Sequence, residues 1–197
     1  MPGSRRRGAW RSLAAAMTVL STCSIAADAV REYLDETTAA TITAVAEPYI
    51  FARERTDLAV NARDYVSLAA LEINRAGQRS YHWFAYVWST IDRRGDPSGA
   101  TPVDQFVLLA DGRAITLRGE ARSLRESGVA RPPLPAPTRQ AQALMFAADT
   151  EVFDYVAGSA DLRVVLLRKD DQAEFLPWRD GRDSLQALVR AVAGSGQ

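Results

Sequence analysis

Between Arg79 and Asp92, apolar side chains fall on both phases of a two-residue period. His82, Phe84, Tyr86 and Trp88 occupy one phase; Tyr81, Trp83, Ala85, Val87 and Ile91 occupy the other. Successive side chains of a strand point to opposite faces, so this pattern predicts a strand covered on both sides, at the middle of the fold. Asp92 to Pro102, dense in Gly, Pro, Asp and Arg, reads as the loop that follows.

Other segments repeat the period more weakly. Thr38 to Arg53 is rich in Thr, Val, Ile, Tyr and Phe and is interrupted by Pro48. It predicts two short strands, or one strand with a kink, because proline cannot donate to a ladder. From Asp57 to Arg75 two periods compete. Leu58, Ala62, Tyr65, Val66, Ala69 and Ile73 share one helical face, but the stretch from Tyr65 also reads as a strand. The favoured reading is a helical turn near 56–62 and a strand over 65–74. Phe106–Ala110 and Arg113–Leu117 flank Asp111-Gly112, a hairpin signal because both turn residues need positive φ. Ala143–Ala147 predicts another strand. Leu162–Leu167 and Ala173–Trp178 predict a second hairpin around Lys169-Asp170-Asp171.

Two segments carry the 3.6-residue period. Thr150 to Ser159 places Val152, Phe153, Val156 and Ala157 on one side. Near Asp183 to Val192, the stripe is Leu185, Leu188, Val189 and Val192. Between the hairpins, Arg118 to Thr138 turns polar and ends in Pro132, Pro133, Pro135 and Pro137, an extended connector. Strands first and helices late predict an α+β fold. Its core is a twisted antiparallel sheet of about six to eight strands, with two helices in the C-terminal half. A half-closed β-barrel is the alternative. Residues 38–197 read as a single globular domain.

The first residues read differently. Arg5, Arg6, Arg7 and Arg11 precede a short apolar run, Leu13 to Leu20, and then small residues. That is the layout of an export signal, predicted over 1–22. The run is well short of the roughly 20 apolar residues a spanning helix needs. Leu20-Ser21-Thr22-Cys23 resembles the lipobox of bacterial lipoproteins, with Thr22 where that pattern carries Gly, Ala or Ser. The resemblance implies lipidation of Cys23, the chain's only cysteine, and attachment to the membrane through that lipid. Ser24, rather than aspartate, follows it, which by the same resemblance favours the outer membrane. Residues 23–37 would then be a tether. Two other fates remain open: cleavage after Ala26 or Ala27, giving a free periplasmic or secreted protein, and an uncleaved anchor.

Charge and chemistry narrow the function. Formal net charge is zero, but removing the leader leaves 20 basic against 24 acidic residues, a net of −4. Such a domain has no electrostatic footprint for nucleic acid. With no second cysteine, an internal disulfide is excluded. His82 is the only histidine, so any Ser-His-Asp triad must pass through it, and no Gly-x-Ser-x-Gly elbow is present. One histidine and one cysteine exclude the common zinc sets, and no cofactor or metal is expected. Glu47, Glu72 and Asp92 are the acids nearest the aromatic strands, and acids of the 92–104 loop could in principle form a hydrolase pair. The stripe His82, Phe84, Tyr86 and Trp88 is the candidate ligand surface; as core, it would instead explain how a disulfide-free domain holds together. The expectation is an exported, lipid-anchored module on the periplasmic side of the envelope. It would act by binding, with envelope proteins among its possible partners and without catalysis. A periplasmic hydrolase and a carrier of a small apolar ligand are the alternatives.

Overall fold

The computed structural model describes residues 29–91, 103, 105–117, 124, 126–168 and 171–194. Cys23, the leader and the 92–102 loop lie outside them. The N-terminal strands are β1 (Val30–Asp35), β2 (Ala40–Val45) and β3 (Tyr49–Glu54), followed by the long pair β4 (Arg63–Arg75) and β5 (Gln78–Ser89). Next come β6 (Gln105–Ala110), β7 (Arg113–Leu117) and β8 (Gln142–Ala148). Helix α1 (Thr150–Gly158), strands β9 (Leu162–Arg168) and β10 (Asp171–Arg179), and helix α2 (Arg182–Gly194) complete the chain.

All ten strands join one open antiparallel sheet. β5 lies between β4 and β8. The other edge of β4 is shared, β3 taking residues 63–68 and β2 taking 71–74. β10 pairs with β9 through Phe175 and with β3 from Leu176, with a bulge between Pro177 and Arg179 that bends the sheet. The sheet therefore curls until Phe106 of β6 meets Phe146 of β8, ring centres 5.2 Å apart. β7 approaches β8 there, yet no ladder joins them among the described residues, so the sheet stays open.

The sequence pattern located most elements. Pro48 separates β2 from β3, and backbone turns over residues 55–62 precede the β4 strand. Asp111 and Gly112 adopt φ of 48° and 79° in the β6–β7 turn. The strand count departs from about six to eight, and residues 30–35 depart from the expected tether. They form β1 because Val30 and Tyr33 pack on the core, while the Asp35 carboxylate is buried on backbone donors. An edge strand with polar outward positions shows little alternation, which hid it.

The two faces of β5 have different fates. On the Tyr81–Trp83 face, Phe153 of α1 stands edge-on to Trp83 at 4.7 Å and to Tyr81 at 6.3 Å. Such pairs add about 0.5–1.5 kcal/mol beyond burial. α2 packs against α1 and across β2 and β4, burying Leu185 and Leu188. Its entry is tight. Gly181 lies so close to the β2–β3 turn that a Cβ would sit 2.5 Å from Tyr49 N. Ser184 Oγ accepts the Glu47 N–H there at 3.3 Å.

Candidate functional site

The opposite face of β5 carries the predicted stripe, and the fold divides it. Phe84 is core, flanked in register by Ala69 and Met145 and edge-on to Tyr86 at 4.8 Å. His82, half-buried in the row of Leu71 and Ala147, has its Nε2 3.1 Å from Ser80 Oγ, on the same strand. Tyr86 and Trp88, at the other end, line a groove.

The groove exists because the proline-rich connector folds back over this face. Val129 and Leu134 are buried. Tyr86 Oη donates to the Leu134 carbonyl at 3.2 Å, and Tyr33 Oη to the Arg131 carbonyl at 3.3 Å. Asp35 accepts the N–H of Ala130 at 2.6 Å and that of Thr37 at 3.1 Å. These donors, Ala130 first, hold its carboxyl below the ordinary Asp value despite burial. Arg75 donates to the Gly128 carbonyl, fixing the strap where the chain turns with φ +74°. Proline suits such a strap: it has no N–H to leave unsatisfied against an apolar surface, and its φ is already fixed.

Between strap and sheet remains a cavity of about 220 Å³, open to solvent. Tyr86, Trp88 and Ile50 form its sheet wall, and Leu134, Pro135 and Pro137 its strap wall. Ala46 and Pro48 close one part of it. Among the described residues, Ser67 and Arg31 also reach it. Ser67, beside Ile50 and Tyr86 in register, is nearly buried, and Arg31 of β1 is exposed. The cavity continues into an aromatic ledge. Tyr65 stacks on Trp88 at 5.2 Å, Trp178 meets Tyr65 edge-on at 6.1 Å, and Arg63 lies 4.8 Å from the Trp178 ring centre. Leu176 and Trp178 are exposed at 54% and 55%.

No family model matches this chain, and no curated protein or solved structure matches it either.

Among the described residues, the two candidate acids stand apart from the groove. Glu47 is exposed at the β2–β3 turn. Glu72 is buried on the other face of the sheet from the groove, 3.4 Å from Arg79. Its carboxyl is pushed up by burial, against the pull of Arg79 and with a smaller push from Glu32. Asp92, Asp96 and Asp104 lie outside the described residues. Among the described residues, no three His, Cys, Asp or Glu side chains are grouped to hold a metal ion, and no helix is long and apolar enough to cross a membrane.

Sequence reasoning found Tyr86 and Trp88 by alternation. It missed Arg31, placed in a tether, and Ile50, Ser67 and Trp178, which reach this face through the pairing of β3, β4 and β10. The prolines were legible as a connector, but nothing local says which surface a connector crosses.

Proposed function

We propose that this chain is an exported envelope domain, held to the membrane by lipid on Cys23, that binds a small ligand between sheet and strap without catalysis. The supporting observation is the groove. An apolar cavity with two convergent polar groups, opening onto an aromatic ledge, is the composition of a small-molecule site. The strap leaves that space while being tied down by Tyr33, Asp35, Arg75 and Tyr86. A preorganised wall lowers the ordering cost of binding. The aromatic ledge beside it offers a surface for an envelope partner.

The test uses the complete Cys23→Ser chain, so that no detergent competes, and anilinonaphthalene sulfonate as an environment-sensitive probe. The expected result is saturable binding of one probe per chain. Ile50→Trp, which enlarges a lining side chain, should weaken it at least tenfold with circular dichroism unchanged. Equal binding by a folded Ile50→Trp variant, or no saturable binding, would overturn the groove as the site.

A further inference from the structure

We propose that the ligand is a single-chain carboxylate, a medium-length fatty acid whose carboxylate meets Arg31 and whose tail lies between Tyr86, Trp88 and the strap prolines. The inference rests on the groove being the site and names what enters it. Three observations lead there.

The first is size. A cavity of about 220 Å³ holds roughly seven groups of the size of a water or a methylene, at about 30 Å³ each. That suits one short chain better than the paired chains of a phospholipid. The second is surface. The walls are ring faces, prolines and aliphatic groups, which reward a flexible apolar chain and leave a buried polar ligand unpaired. The third is charge. Among the described residues, Arg31 is the only charged one lining the cavity, and no acid lines it. The neighbouring Glu32 sits on the other phase of β1, where its carboxylate accepts from Thr43 Oγ1 at 3.5 Å. A guanidinium fork at the rim of an apolar slot matches a carboxylate. An alcohol of equal length would fill the slot equally but carries no charge to pair with Arg31.

The experiment titrates octanoate and 1-octanol into the complete Cys23→Ser chain and its Arg31→Gln variant, following the indole N–H resonances. Arg31 is exposed, so its replacement leaves the core intact. Octanoate should move the Trp88 resonance and leave that of buried Trp83 in place. Arg31→Gln should weaken octanoate about fivefold, the scale of a solvent-accessible ion pair, and leave octanol unchanged. If both ligands move Trp88 and Arg31→Gln changes neither, the carboxylate assignment is overturned while the groove stands. If neither ligand binds and the naphthalene probe still does, the fatty-acid assignment alone falls. If the probe also fails, the groove falls with it.

Discussion

Gly181→Ala tests the packing that brings α2 onto the sheet. The added Cβ would stand 2.5 Å from Tyr49 N, 2.6 Å from the Pro48 carbonyl carbon and 2.9 Å from Glu47 O. All three are backbone atoms, so no rotamer change relieves the contact. Overpacking of this kind costs about 1–3 kcal/mol, and contacts this short with main chain belong at the upper end. Moving α2 outward also stretches the 3.3 Å bond from Glu47 N–H to Ser184 Oγ, worth about 1 kcal/mol. The expected loss is about 3 kcal/mol, or roughly 6–12 °C in Tm for a domain of this size. Urea unfolding followed by circular dichroism reads it directly. Gly158→Ala is the control. Nothing lies within 4 Å of its Cβ position, and alanine is favoured over glycine in a helix, so that variant should be as stable as the parent or more so. A Gly181→Ala midpoint within about 0.5 kcal/mol of the parent would refute the reasoning, because the helix could then retreat without loss.

Two further outcomes concern the strap and the address. Asp35 has a folded pKa below its unfolded one, so its ionised form stabilises above the ordinary Asp value of 3.8, and this contribution disappears as pH falls through the lower folded value. Asp35→Asn should therefore be less stable than the parent at about pH 7, with the gap in urea midpoint narrowing as pH falls below the ordinary Asp value; a constant gap would remove the carboxylate from the strap's anchoring. For the address, the native chain should sediment with membranes and the Cys23→Ser chain should not. Equal membrane retention of both would overturn lipid anchoring through Cys23.

How much was legible depended on whether the signal was local. The two-residue period of β5 survived because residues 83–87 are buried on both faces of the sheet, so successive positions report it. The Asp-Gly turn survived because its backbone needs are those of two adjacent residues. Asp111 also shows what locality hides. Its carboxylate accepts the N–H groups of Ala160 and Asp161, pinning the hairpin to the end of α1 from 49 and 50 residues away. Residues 30–35 were hidden for the opposite reason. An edge strand carries few apolar positions, and its hydrogen bonds to β2 are invisible until β2 is placed.

The sequence by itself determined the alternation that sets Phe84, Tyr86 and Trp88 on one face, the two late helices, and the absence of a second cysteine for a disulfide. It also contained the basic, apolar and Cys23 pattern on which the proposed address rests. Tertiary structure decided which part of the stripe is core and which lines a groove. Phe84 is sealed by Ala69, Met145 and Tyr86, while Trp88 stays partly open because the strap crosses beside it. That division depends on register across β3, β4, β5 and β8, and on a connector tied down by Asp35 from 95 residues away. Side-chain alternation is a property of one strand; what covers a face is set by distant segments competing for the same apolar surface.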